Sequence, residues 1–150
     1  MKSLLLFFRI FFIVFVTLLL IFPEPEVYAS TKDSGESEWT GRQDLWHGFK
    51  RFHFQIDGRN CYVVTPAKNA AGKPWVWRAR FPDFHYEMDV ELLKQGFHIA
   101  YMDVANLFGS PQAITHGNQF FDHLTKQHGF QSKVALEGVS RGGLFIYNWA

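Results

Sequence analysis

Residues Gly138-Val139-Ser140-Arg141-Gly142 form a G-x-S-x-G pentapeptide between an apolar run starting at Val134 and a helix-like run starting at Leu144. In that context the serine belongs at the apex of a sharp strand-to-helix turn, with strained backbone angles and an exposed hydroxyl. The residues two positions to either side have to be glycine, because a Cβ there collides with the adjoining strand or helix. Ser140 is therefore the candidate nucleophile, with Gly138 and Gly142 as its elbow glycines. The amide of Arg141 falls at a helix N-terminus, where it can donate to an oxyanion. Such a serine performs acyl transfer on an ester or amide, chemistry that needs neither a metal nor an organic cofactor.

An alternation of strands and helices leads up to this turn. Phe49 to Ile56 places Phe52, Phe54 and Ile56 at period two, the mark of a half-buried strand. Asp57-Gly58 signals a hairpin turn, and Arg59 to Thr65 supplies the return strand. After a loop from Pro66 to Pro74, Trp75-Val76-Trp77 is a third, short apolar strand that ends over Arg78 to Pro82. Met88, Val90, Leu92 and Leu93 then suit a helix stopped by Gly96. Phe97 to Val104 is a further strand. Ser110 and Pro111 open a longer helix as N-cap and first helical residue, with an apolar face of Ile114, Phe120, Phe121 and Leu124, closed by Gly129. Lys133 to Val139 is the last strand, and Leu144 to Tyr147 starts the last helix. The succession predicts an α/β fold with a mostly parallel sheet and no internal repeat.

The 150 residues carry 15 basic and 14 acidic side chains, so charge points to no particular partner and no nucleic-acid footprint is present. Met1-Lys2 precedes an apolar stretch from Leu4 to Phe22 interrupted by Arg9. Its unbroken part, Ile10 to Phe22, has the length of a signal-peptide hydrophobic region and is short for a membrane span. Pro23-Glu24-Pro25-Glu26 breaks any helix, and Val27-Tyr28-Ala29 offers a signal-peptidase site, so cleavage is expected after Ala29. The protein is then exported, periplasmic or secreted, and meets the membrane only through this signal. The rival reading is an uncleaved anchor over residues 4–22 with Arg9 snorkelling to the interface. Residues 30–45 are polar and read as a flexible linker, and order is expected from about Trp46 to Ala150. Cys61 is the only cysteine, which excludes an internal disulfide; its surroundings make it a small apolar residue buried on a strand.

The order of elements together with the pentapeptide resembles the α/β-hydrolase superfamily, over roughly Phe49 to Ala150. More narrowly, Lys73-Pro-Trp-Val-Trp-Arg-Ala79, Gly96-Phe-His-Ile-Ala-Tyr-Met-Asp103 and Leu136-Glu-Gly-Val-Ser-Arg-Gly-Gly143 look like a group of exported bacterial hydrolases of this fold. The resemblance implies a three-layer sandwich in which an antiparallel hairpin precedes parallel strands with crossover helices. It implies Ser140 as nucleophile of a serine hydrolase, an esterase or peptidase-like enzyme, with the Arg141 amide as one oxyanion donor. The second donor comes from the loop after the third strand, about Arg78 to Arg80, of which Arg78 is the candidate; this loop lacks the His-Gly-Gly-Gly pattern of many lipases. In these enzymes the acid and the histidine follow the serine. After Ser140 come only Arg-Gly-Gly-Leu-Phe-Ile-Tyr-Asn-Trp-Ala, and all seven histidines lie upstream. The chain therefore reads as the N-terminal part of a longer hydrolase, inactive by itself, with the triad acid and histidine expected beyond Ala150.

Other polar residues have structural readings. His53 and His98 sit within strands. His116 and His123 share a helical face near His128, but no third ligand completes a metal site. Asp83-Phe-His85-Tyr-Glu87 marks a strand-to-helix handover, where Asp83 caps or turns. Asp103 ends a strand at the sheet edge where active sites of open α/β folds gather, in a turn or supporting role. Glu137 is a buried carboxylate paired with Arg78 or Arg80. Trp75 and Trp77 belong in the core. The substrate class is a small-molecule or polymer ester or amide. The alternative is a non-catalytic α/β-hydrolase-like binding or interaction protein; an aromatic-rich carbohydrate-binding module would need an all-β pattern.

Overall fold

The computed structural model describes residues 39–150. The leader, the anchor alternative and residues 30–38 of the linker lie outside the described residues. No helix among the described residues is long and apolar enough to cross a membrane.

Six strands form one sheet: β1 (Arg42–Trp46), β2 (Phe49–Ile56), β3 (Arg59–Thr65), β4 (Trp75–Ala79), β5 (His98–Met102) and β6 (Ala135–Gly138), in the order β1-β2-β3-β5-β4-β6. Three helices accompany them: α1 (Glu87–Lys94), α2 (Pro111–Asp122) and α3 (Arg141–Trp149), with a π-helical turn, His123–Gln127, continuing α2. The β2–β3 hairpin turns on Asp57 and Gly58, with φ of 47° and 72°, and pairs Ile56 with Arg59. Two positive φ angles at the central residues are what the right-handed twist of the strands demands of a two-residue turn.

Three expectations need correcting. The sheet is not mostly parallel: only β5–β4 and β4–β6 are parallel, against three antiparallel pairs. The excess comes from β1, which adds antiparallel to β2, and from β3, which lies antiparallel to β5. Order begins before Trp46, because Arg42 to Leu45, read as linker, are paired to β2. An edge strand exposes one side and most of its side chains, so it needs no apolar alternation; an ion pair from Asp44 to Arg51 (2.8 Å) and a hydrogen bond between His53 Nε2 and Asp44 Oδ2 (3.0 Å) hold it instead. Finally, α1 turns a different face inward. Met88 is 50% exposed, whereas Asp89 and Leu93, one turn apart, are fully buried.

The two faces of the sheet carry separate cores. On one, Cys61, Val63, Trp75, Trp77, Ala79, Ala100 and Met102 pack under Ala113, Phe120 and Leu124 of α2 and its π-helical turn and Phe145 of α3. On the other, Tyr62, Val64, Val76 and Ile99 meet Leu93 of α1 and Trp46. Alternate residues of β3, β4 and β5 divide between these faces, as the two-residue period of a strand requires. All five residues of β4 are buried, making it the centre of the three layers. Burial of the Cys61 thiol pushes its pKa up to about 12.

Candidate active site

Val139 and Ser140 make the whole connection between two regular elements: β6 ends at Gly138 and α3 begins at Arg141. Ser140 has φ 51° and ψ −121°, a region that costs an L-residue about 1–3 kcal/mol and persists only when its surroundings impose it. The surroundings do so by close approach. A Cβ on Gly138 would lie 2.6 Å from Ile146 Cδ1 and 2.9 Å from the Gly143 nitrogen. A Cβ on Gly142 would fall inside the van der Waals envelope of the Ala79 carbonyl oxygen. The turn closes through Gly142 N–H donating to Val139 O (2.8 Å) and Gly143 N–H donating to Ser140 O (2.9 Å). Ser140 is thereby held exposed at the end of the parallel strands, next to the end of β4.

Gly143 is a useful contrast, since the nearest atom to its absent Cβ is 4.0 Å away. Gly142→Ala is accordingly expected to cost about 3 kcal/mol or more through backbone collision. Gly143→Ala is expected to be neutral or stabilising by up to about 1 kcal/mol, because it removes glycine from a helix. Urea unfolding of the two variants checks the pair, and similar losses in both would remove the steric account.

The first four N–H groups of a helix have no intrahelical acceptor, so the Arg141 amide, first in α3, is free to donate beside Ser140. Arg78 is the sequence candidate for a second oxyanion donor. It lies inside β4, in register with Tyr101 of β5 and Glu137 of β6, one residue before the strand ends at Ala79. The loop that borders the elbow starts at Arg80. There Arg80 and Phe81 have φ of 74° and 49°, and nearby His85, Asn106 and Phe108 also have positive φ. Positive φ at non-glycine residues thus recurs in the loops that follow β4 and β5.

Arg78 organises that strained loop. Its guanidinium is 1% exposed and every one of its five N–H groups has an acceptor. Nε donates to Asp89 Oδ2 (2.7 Å), Nη1 to the carbonyls of Phe81 (3.0 Å) and Phe84 (2.8 Å), and Nη2 to the carbonyl of His85 (3.3 Å) and Glu137 Oε1 (2.8 Å). One side chain therefore ties the loop after β4, helix α1 and the strand before the elbow. Sequence reasoning anticipated the Glu137 partner and missed Asp89, which carried no signal beyond its i, i+4 spacing to Leu93.

Two carboxyl groups share this one cation and lie against each other, with Asp89 Oδ1 and Glu137 Oε2 buried and unable to bond while both groups are ionised. Burial, then the Asp89 charge, pushes Glu137 up from 4.5 to about 7; burial likewise raises Asp89. A carboxyl whose folded pKa is raised binds its proton more tightly folded than unfolded. It therefore withdraws stability as pH climbs from about 4.5 through about 7. Glu137→Gln keeps the acceptor for Arg78 and cannot ionise. The loss of stability between pH 5 and pH 8, on the order of 1–2 kcal/mol in the parent, should shrink in this variant. Thermal melts across that range read the difference, and an unchanged slope would assign it to other groups.

The seven histidines all have places away from the serine. His47 stacks on Tyr86 at 3.9 Å and His85 lies edge-on to Phe84. His53 meets Asp44, and His98 is buried beside the Pro74 carbonyl, where burial pushes it down to about 4. His116 comes within 3.4 Å of Asp57 without hydrogen-bond geometry. His123 and His128 face each other, Nε2 to Nε2, at 3.2 Å. Among the described residues no group of three metal-ligating side chains occurs. Asp103 makes a turn, its Oδ1 accepting from Ala105 N–H at 2.8 Å, and Asp83 accepts from Trp46 Nε1 at 3.0 Å.

No protein-family model matches the chain, and no curated protein matches it. Among solved structures, a cold-adapted esterase from an Arctic intertidal metagenomic library is similar in both a PEG-bound and a zinc-bound form. The TM-scores are 0.55 and 0.56 at 14% identity over 75% of this chain. The fold is that of an α/β-hydrolase. The chain spans 59% and 57% of the two esterase chains. In the hydrolase fold so described, the strained serine sits where the parallel strands end, the edge at which open α/β sheets gather ligands.

Proposed function

We propose that Ser140 is the nucleophile of a serine hydrolase that cleaves an ester or amide through an acyl-enzyme. The observation that carries this reading is Ser140 itself: an exposed non-glycine residue at φ 51°, held between two glycines at which a Cβ would have no room. A binding surface has no use for that strain, whereas a nucleophile does. Ser140 Oγ attacks the carbonyl carbon and its proton passes to a histidine. The Arg141 amide and an amide of the Arg80–Phe81 loop receive the developing oxyanion. Collapse of the tetrahedral intermediate expels the alcohol or amine, which takes the proton. Water then attacks the acyl-serine by the same route in reverse. None of the seven histidines bonds to Ser140, so the base and its orienting acid are proposed to lie beyond Ala150. The leader-like residues 1–29 add the proposal that the enzyme acts outside the cytoplasm.

Fluorophosphonate labelling of the product of the complete reading frame tests the reading. The adduct is expected on the tryptic peptide Val134–Arg141 and should be absent from Ser140→Ala. A full-length protein that stays unlabelled is a non-catalytic relative using the scaffold for binding.

A further inference from the structure

Arg80 and Arg141 line one cleft beside the elbow, together with Val104, Asn106, Phe108 and Phe145. Arg80 is the first residue after β4, and Arg141 directly follows Ser140. Each guanidinium lies against an aromatic ring: Arg80 Cζ is 5.1 Å from the Phe81 ring centre and Arg141 Cζ 5.9 Å from that of Phe108. Neither reaches a carboxylate among the described residues, whereas Arg42, Arg51 and Arg78 all do. The acids that end the neighbouring segments are engaged elsewhere, Asp103 at Ala105 N–H and Asp83 at Trp46.

An aromatic face attracts a guanidinium without neutralising it and leaves the in-plane N–H fork available. Two such forks on one cleft, one of them carried by the residue that follows Ser140, make a pair of bidentate sites for a planar or tetrahedral oxyanion. A neutral ester makes no charge-assisted bond to either guanidinium, whereas an anionic one can bond to both. Building on the nucleophile reading above, we propose that the substrate is an ester carrying a carboxylate or similar oxyanion close to its scissile bond, bound by Arg80 and Arg141. Phe108, 56% exposed, supplies the apolar wall for the chain between anion and ester.

Two matched pairs of substrates test this on the full-length enzyme. Monomethyl succinate against methyl butyrate places the carboxylate on the acyl side; acetoxyacetate against propyl acetate places it on the alcohol side. In at least one pair kcat/KM is expected to favour the anion by about tenfold or more, as a charge-assisted hydrogen bond allows. The preference should fall with added salt, as screening requires. Replacing both residues, Arg80→Gln with Arg141→Gln, should bring that ratio close to one, and each single change should move it part of the way. A preference for the neutral ester in both pairs, or a ratio untouched by the double change, overturns the proposal. Fluorophosphonate labelling run alongside separates the two readings. Labelled Ser140 with no anion preference removes only the substrate class, whereas unlabelled Ser140 removes the nucleophile and this inference with it.

Discussion

In the full-length protein, Ser140→Ala is expected to lower the proposed ester turnover by a factor of about 10⁵, the scale on which serine hydrolases lose activity with their nucleophile. The more informative companion is Ser140→Gly. A serine at φ 51° holds strain that glycine does not feel, so this variant should unfold at higher urea, by about 1 kcal/mol after the entropic cost of glycine is deducted. Activity and stability would then move in opposite directions at one residue. A Ser140→Gly protein that is less stable than its parent would mean that the turn is relaxed as it stands, and the case for a functional elbow would weaken with it.

Arg78→Met is expected to cost about 3–5 kcal/mol, because it strands two buried carboxyl groups and frees three backbone carbonyls at once. Arg78→Lys should recover little of this, since an ammonium has three donors and no planar fork. The loss alone shows only a structural ion pair. A triple replacement, Arg78→Met with Asp89→Leu and Glu137→Leu, removes every stranded charge and is expected to regain most of the stability. If Arg78 also positions the Arg80–Phe81 loop for the oxyanion, kcat will stay low in this refitted protein while KM changes little. Full recovery of kcat would make the network structural only. Chemical denaturation and steady-state kinetics on the same preparations decide between these outcomes.

The parts of the molecule that could be read from sequence are those set by local rules. Asp57-Gly58 announced a turn because both residues tolerate positive φ, and Ser110 announced a helix start that its side chain makes, accepting from Ala113 N–H at 3.4 Å. The pentapeptide around Ser140 belongs with them, since glycine marks where neighbours come too close. What escaped was decided by distant partners. Strand β1 is polar up to Asp44, and its pairing with β2, Asp44's contacts across to that strand and the burial of Trp46 show why Arg42–Trp46 is ordered. Met88 looks apolar enough to face inward, yet Arg78 on β4 draws Asp89 in and rotates α1 accordingly. Arg78 read as loop because the sheet's extension to Ala79 depends on pairing with β6, a strand 57 residues further on.

Cys61 sits at the middle of this arrangement, 2% exposed in β3 between Phe54 of β2 and Met102 of β5. A sulfhydryl so buried and so far from its thiolate oxidises and exchanges only slowly in the folded state, because the anion is the reactive species. Alkylating and disulfide reagents are thus held back until the neighbouring strands part. Its single sulfur atom is a built-in clock on sheet opening, nearly silent for as long as the native state lasts.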